Sequence, residues 1–310
     1  MKKLFTLVSI IALCNVAFAQ TQRMVLTEEF TQASCPPCAS ANPTYNAICD
    51  ANPTKLIGLH YQVSWPGSDP MNAENAAQVA TRVSYYAVSG VPDSKLDGST
   101  TVYPSSLTQT QIDNRYATPS PFFLTAAHTI SADYDSIYIT IDIQAAQAYT
   151  AASTLKLHVA VVERDINFTT APGSNGELDF HWVMRRMLPS DQGTTLGSSW
   201  TNGQTQQVVL SSPLPWYIRN VNQIGVVAFL QETTSKAVQQ AAYSAPLSAQ
   251  PTNDASATAI TGITTASCNT SVTPSVTIKN LSSSTMTSAT IYYEFDAATN
   301  WYYNLANSPP

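Results

Sequence analysis

Two cysteines separated by two prolines, Cys35 and Cys38, are the residues of this 310-residue chain whose types and spacing best suit chemistry. Pro36 and Pro37 are followed by an Ala-rich, glycine-free run to Ala51, which predicts a helix, because proline suits the first helical turn. A cysteine at a helix N-terminus feels the positive end of the helix dipole, which favours the thiolate that attacks disulfides. A second cysteine one turn later can resolve the mixed disulfide. We therefore predict Cys35 as the nucleophile and Cys38 as the resolving partner.

The CPPC spacing alone leaves other interpretations open. A bare CxxC also occurs in zinc sites and by chance. It can equally be a redox-inert structural disulfide on a binding scaffold. The residues around it are therefore needed to choose between these interpretations.

The context of the CPPC resembles the thioredoxin family at three further positions. Glu29 lies six positions before Cys35, where that family has an acidic residue, and Pro43 lies eight positions after it, where the family has a proline that kinks the helix. Gly90-Val91-Pro92 matches the segment that carries the family's cis-proline. The sequence departs from the family at Ser34, which replaces a usual tryptophan, and in a longer interval between Cys35 and Pro92.

The resemblance implies roles for the matched residues. Glu29 would be a buried acid that accepts the Cys38 proton, although a solvated acid at a strand edge is an alternative. Pro92 would be cis and would face the sulfurs, although an ordinary trans turn proline is an alternative. Val91, together with Pro36 and Pro37, would contact the substrate.

The first 19 residues predict a secretory signal, with Lys2 and Lys3 before an apolar run and Ala17-Phe18-Ala19 as the cleavage site. No other apolar run is long enough for a transmembrane span. Without the signal, 12 basic and 20 acidic residues give a net charge of −8 and no basic patch for nucleic acid. We expect an exported protein whose partners are protein thiols or disulfides and components of the cell envelope.

The pattern of predicted helices and strands changes along the chain and indicates three regions after the signal. Residues 20–118 have the order β-α-β-α-β-α, residues 119–248 alternate apolar and polar side chains in about seven strands, and residues 252–310 predict a second, incomplete β domain. The expected fold class is therefore an α/β thioredoxin-like domain followed by all-β domains of the immunoglobulin-like sandwich type.

Residues 20–245 also resemble the Omp28-related outer membrane proteins of Bacteroidetes. The resemblance rests on the CPPC context and on the segments 180–189 (FHWVMRRMLP) and 225–231 (GVVAFLQ). It implies a location in the periplasm, on the outer membrane surface or outside a Gram-negative cell.

The remaining cysteines and histidines suggest no cofactor and no metal. Cys49 predicts a buried free thiol, with a third redox cysteine as the alternative, and Cys268 predicts either half of a disulfide or a buried thiol. The four histidines are scattered singly, so none has zinc-site spacing; a copper site formed by His60 and the CPPC is an alternative.

The sequence therefore predicts an exported thiol–disulfide oxidoreductase module in a multi-domain cell-surface protein. The alternative is a non-enzymatic surface adhesin or assembly protein with a structural CPPC disulfide.

Overall fold

The computed structural model describes residues 21–132, 134–247, 255–262, 273–280, 287–295 and 299–306. The predicted signal segment 1–19 and Cys268 lie outside these ranges. The chain divides into two compact units between Leu247 and Ser248. Among the described residues, no helix has the length and apolar character needed to cross a membrane.

The first unit contains three α-helices and fourteen strands in its described part. The helices are α1 (Pro36–Asp50), α2 (Pro70–Tyr86) and α3 (Gln109–Tyr116). The strands are β1 (Val25–Thr31), β2 (Leu56–Gln62), β3 (Asp93–Leu96), β4 (Thr100–Val102), β5 (Phe122–Ile130), β6 (Ser136–Ala145), β7 (Tyr149–Thr150), β8 (Leu155–Asn167), β9 (Asp179–Leu188), β10 (Thr194–Thr195), β11 (Ser199–Trp200), β12 (Thr205–Pro213), β13 (Ile224–Glu232) and β14 (Val238–Ser244).

Nine of these strands form one mixed sheet. Its order is β14-β13-β8-β9-β2-β1-β3-β4, with β10 paired to β8. Strand β2 pairs in parallel with β1 on one side and with β9 on the other, whereas the remaining neighbours in this sheet are antiparallel. The sheet therefore joins the N-terminal third of the chain to the strands that follow residue 150.

The predicted fold class was wrong. The structure is mostly β, with one large mixed sheet, and its described N-terminal residues form no clear thioredoxin-like α/β fold. The physical reason lies in strand pairing. Strand β2 is buried along its whole length, and β9 supplies the partner on the edge that β1 leaves free. Apolar periodicity predicts that a segment is a strand but not which distant strand it pairs with.

Strand β8 shows how one sheet serves two cores. Leu157 and Val159 pack with the apolar side chains of a second sheet, β12-β6-β5, while Ala160 and Val162 pack on the side of α2. This alternation follows from the two-residue period of a strand.

Strand β1 is buried between two helices. Leu26 and Phe30 share a core with Val79 of α2, whereas Val25 shares a core with Tyr45 of α1. Successive residues of β1 therefore face opposite helices, and polar side chains on this strand lie inside the protein.

The described part of the second unit consists of two antiparallel pairs. Strand β15 (Ala255–Thr261) pairs with β16 (Ser275–Asn280), and β17 (Ser288–Phe295) pairs with β18 (Thr299–Ala306). These pairs are the part of the predicted 252–310 region that the structure describes.

Candidate active site

Cys35 and Cys38 form a disulfide at the start of α1, with their Cα atoms 5.2 Å apart. Cys35 is the N-cap residue, and Pro36 and Pro37 occupy the first helical positions, so the predicted start of this helix is confirmed. The backbone N–H of Cys38 points at Cys35 Sγ, with a nitrogen-to-sulfur distance of 3.1 Å. The two prolines are exposed, but the cysteines are only 1% and 0% exposed.

The structure brings Val91 and Pro92 to this disulfide. The Val91–Pro92 peptide bond is cis, and the carbonyl oxygen of Val91 lies 3.6 Å from Cys35 Sγ. Pro92 is buried, while Val91 is half-buried. A backbone carbonyl therefore borders the sulfur that we expect to react first.

Asp69 and Gln32 hold the turn before Cys35. One carboxylate oxygen of Asp69 accepts from the backbone N–H of Ala33 at 2.8 Å, and the other caps α2 by accepting from Met71 N at 2.8 Å. Gln32 donates to the carbonyl of Gly67 at 2.7 Å. Sequence reasoning missed these residues; an Asp before Pro70 at a helix start was the available signal for Asp69 as a cap.

The loop between β8 and β9, residues 168–178, packs directly on the CPPC turn. The Asn175 side chain donates to the carbonyl of Cys35 at 3.2 Å, and Ser34 Oγ accepts from the Ser174 N–H at 2.9 Å. Gly173 lies so close that a Cβ built on it would be 2.2 Å from the Ala33 carbonyl oxygen. No sequence signal pointed to this loop, because it lies about 140 positions beyond the cysteines.

Ser34 is the meeting point of two loops. It donates to the carbonyl of Ser68 at 2.7 Å and accepts from Ser174, so it joins the segment before α2 to the β8–β9 loop. The departure from the thioredoxin pattern at this position therefore provides a contact that ties both loops to the turn before Cys35.

Glu29 lies on the α1-facing side of β1 and is completely buried. Its register partner on β2 is His60, whose Nδ1 lies 3.2 Å from Glu29 Oε2. The geometry of this contact makes no hydrogen bond, and neither carboxyl oxygen has a hydrogen-bond partner among the described residues. Burial, followed by the charge of Glu177, raises the pKa of Glu29 well above 4.5. Burial also lowers the pKa of His60 well below 6.5, so both shifts favour the uncharged forms.

Glu28, the neighbour of Glu29, points to the opposite side of β1. It forms an ion pair with Arg82 of α2 at 2.5 Å and accepts from the hydroxyls of Tyr61 and Tyr86. Arg82 also donates to Gln231 of β13 at 3.2 Å. This network is a buried link between β1, α2 and β13.

Cys49 is a free and buried thiol on α1. Burial raises the pKa of this thiol, and the neighbouring charge of Asp50 raises it further. Cys49 is therefore held in the unreactive thiol form. Within the described residues, no group of three or more His, Cys, Asp or Glu side chains is arranged to hold a metal ion.

Comparison with known proteins gives structural neighbours only. No family model matches the chain, and no curated protein matches it in sequence. The solved structure of HBP35 of Porphyromonas gingivalis is similar with a TM-score of 0.60 and 11% identity, covering 93% of this chain and 99% of that one. A protein of Agrobacterium tumefaciens has a TM-score of 0.49 and 18% identity over 75% of this chain and 98% of its own.

A third neighbour is a domain of the outer membrane lipoprotein Omp28 from Porphyromonas gingivalis. It has a TM-score of 0.28 and 13% identity, and it covers 41% of this chain and 88% of its own. The structural neighbours thus include an Omp28 domain and HBP35, both at low identity. Of these three neighbours, HBP35 has a TM-score high enough to show a shared fold.

Proposed function

We propose that this chain is an exported thiol–disulfide oxidoreductase module that exchanges disulfides with protein substrates. The observation that carries the proposal is the Cys35–Cys38 disulfide at the N-cap of α1, with the Cys38 N–H 3.1 Å from Cys35 Sγ. A backbone N–H at a helix N-terminus stabilises a thiolate more than a thiol, because it donates to the negative charge.

The proposed exchange moves two electrons between the dithiol and a substrate disulfide. In the reducing direction, the Cys35 thiolate attacks one substrate sulfur, the substrate S–S bond breaks, and one substrate thiolate leaves. The Cys38 thiolate then attacks Cys35 Sγ, which closes the Cys35–Cys38 disulfide and releases the second substrate thiolate. Both released thiolates take up protons. The reverse sequence oxidises a substrate dithiol.

The remaining site residues have supporting roles in this proposal. In its ionised form, Glu29 accepts the proton of Cys38 while the mixed disulfide is resolved, and its raised pKa makes that carboxylate a stronger base than an ordinary one. The exposed Pro36 and Pro37 and the half-buried Val91 contact the substrate. Pro92 fixes the segment that carries the Val91 carbonyl beside Cys35 Sγ.

A redox titration of the full chain against glutathione, together with an insulin-reduction assay, tests the proposal. We expect a potential between about −270 and −120 mV, the range of dithiol oxidoreductases, and activity that Cys35→Ser abolishes. Cys49→Ser is the matched control and should leave both measurements unchanged. A potential below about −300 mV, typical of structural disulfides, with no insulin reduction, would reject the proposal.

The second candidate is a non-enzymatic surface adhesin or assembly protein in which the CPPC disulfide is structural. The observation that favours it is the burial of both sulfurs, which leaves 1% of Cys35 and 0% of Cys38 exposed. A shielded disulfide resists exchange because the attacking thiolate must reach a sulfur atom. The same titration decides between the two candidates.

In either case we propose that the protein acts outside the cytoplasm, in the periplasm, on the outer membrane surface or outside the cell. The signal-like segment 1–19 supports this proposal.

A further inference from the structure

A groove of about 600 Å³ runs along α1 from Ala39, the residue after Cys38, to Asp50. Its floor is formed by small or compact side chains of α1, namely Ala39, Pro43 and Ala47, and its wall by residues 175–179. Ala39 directly follows Cys38, and the wall residue Asn175 binds the Cys35 carbonyl at 3.2 Å. One end of the groove therefore lies next to the CPPC turn.

The length of the groove suits a short stretch of extended chain. Its floor extends from Ala39 to Asp50, which corresponds to about 16 Å of helix at the usual rise per residue. An extended polypeptide covers that distance with about five residues. A substrate segment beside a reacting cysteine has this size and shape.

The groove carries unbalanced negative charge. Three carboxylates, Asp50, Glu177 and Asp179, and one imidazole, His181, line it; Asp50 forms an ion pair with Arg164, and His181 contacts Asp165. Among the residues that the structure describes, Glu177 and Asp179 form no ion pair and accept only from asparagine side chains. The field inside the groove therefore favours a cationic side chain.

We propose that this groove binds an extended segment of the substrate polypeptide and selects a lysine or arginine close to the substrate cysteine, through Glu177 and Asp179. That the occupant is a redox substrate rests on the proposed function. The preference for a cationic peptide does not, because it follows from the shape and charge of the groove.

Non-covalent peptide binding tests the groove without sulfur chemistry. Fluorescently labelled nine-residue peptides carry serine in place of the central cysteine and either lysine or glutamate at flanking positions. Fluorescence anisotropy with the oxidised full chain should show tighter binding of the lysine peptide, weakened by salt. Glu177→Gln and Asp179→Asn should each weaken it by about threefold or more.

The matched control is Asp142→Asn, which removes one exposed carboxylate on β6, away from the groove. This variant should bind the lysine peptide like wild type. Equal affinity for the two peptides, or the same loss in the control as in the groove variants, would overturn the cationic selectivity.

A second arm links the groove to exchange. The cysteine forms of the two peptides, each as a mixed disulfide with glutathione, are reduced by the full chain. We expect the lysine form to react several-fold faster, with Glu177→Gln removing the difference. Selective binding with equal exchange rates would overturn the substrate role, whereas no exchange with either peptide would reject the proposed function and leave the binding result intact.

Discussion

Glu29 places a carboxyl group inside the protein with no hydrogen bond among the described residues. It lies 3.2 Å from His60 Nδ1, and the pKa shifts of both groups favour the uncharged state. An unpaired buried carboxyl costs stability when it ionises, so its presence calls for a functional explanation. A raised pKa makes the Glu29 carboxylate, once it has formed, a stronger base, which suits the proposed role as acceptor of the Cys38 proton.

Glu29→Gln should remove a pH dependence of stability. Because the native pKa of Glu29 lies above 4.5, the native state keeps a proton that the unfolded chain loses as the pH rises past 4.5. Wild-type stability should therefore fall through that window, by up to about 1.4 kcal/mol per pH unit from this group. Urea denaturation from pH 4 to 9 should show that the free energy of unfolding of the variant increases relative to that of wild type as the pH rises.

His60 contributes in the opposite direction, since its lowered pKa makes the unfolded chain bind more protons below pH 6.5. It is present in both proteins, so its effect cancels in their difference. Asp142→Asn, a substitution at an exposed position, is the control. Its curve of unfolding free energy against pH should run parallel to that of wild type. A Glu29→Gln curve parallel to wild type across the whole range would contradict the raised pKa.

At the scale of elements, the buried ion pair between Glu28 of β1 and Arg82 of α2 joins the helix to the sheet. Arg82→Met should destabilise the protein by about 3–5 kcal/mol, because it leaves the Glu28 carboxylate buried without a cation. Denaturation in urea measures the loss. The double variant Glu28→Gln with Arg82→Met should recover part of it.

The matched control for this pair lies at the surface. Lys55 and Asp113 form an ion pair whose side chains are 36% and 46% exposed, so Lys55→Met should cost no more than about 1 kcal/mol. Similar losses in the two single variants, or a double variant worse than Arg82→Met alone, would show that burial does not set the energy of the Glu28–Arg82 pair.

The β8–β9 loop packs on the turn before the disulfide, and Gly173 lies at the point of closest approach. Gly173→Ala must displace the loop, because the new Cβ would lie 2.2 Å from the Ala33 carbonyl oxygen. We expect dithiothreitol to reduce the Cys35–Cys38 disulfide several-fold faster in this variant, followed by free-thiol titration. Gly90→Ala is the control, since a Cβ there meets no atom within 4 Å. Unchanged reduction in Gly173→Ala would show that the loop does not limit access.

The elements of the site differ in how far the sequence predicts them. The start of α1 is local information, because two prolines and a helix-favouring run fix it. The Val91–Pro92 segment was found from its resemblance to a family pattern. Asn175 and Gly173 were not found, because a loop reaches the site only through the pairing of β9 with β2, which no local pattern encodes.

At the scale of the whole molecule, the continuous sheet accounts for the error in the predicted fold class. The change from mixed to β texture near residue 118 is real, yet strands on both sides of it share a core: Leu26 and Phe30 pack with Val162 and Phe229. Composition detects the change in element type. It does not detect that β8 and β13 present a second apolar face to α2.

A fragment of residues 20–118 should therefore fail to fold on its own. It would expose the edge of β2 and the apolar face that the later strands cover. Near-ultraviolet circular dichroism and urea denaturation should show native packing and a cooperative transition in residues 21–247 but not in 20–118. A cooperative transition in the shorter fragment would contradict the single-sheet architecture.

If the N-terminus of α1 activates Cys35, the rate of alkylation of this cysteine should show it in its dependence on pH. The reduced full chain is treated with iodoacetamide from pH 5 to 10, and mass spectrometry follows Cys35, Cys38 and Cys49 separately. We predict that Cys35 reacts fastest, with a midpoint below the ordinary thiol value of about 8.5. Equal and slow labelling of the three cysteines would contradict the activation of Cys35. A pH midpoint for Cys35 at or above about 8.5 would contradict it as well.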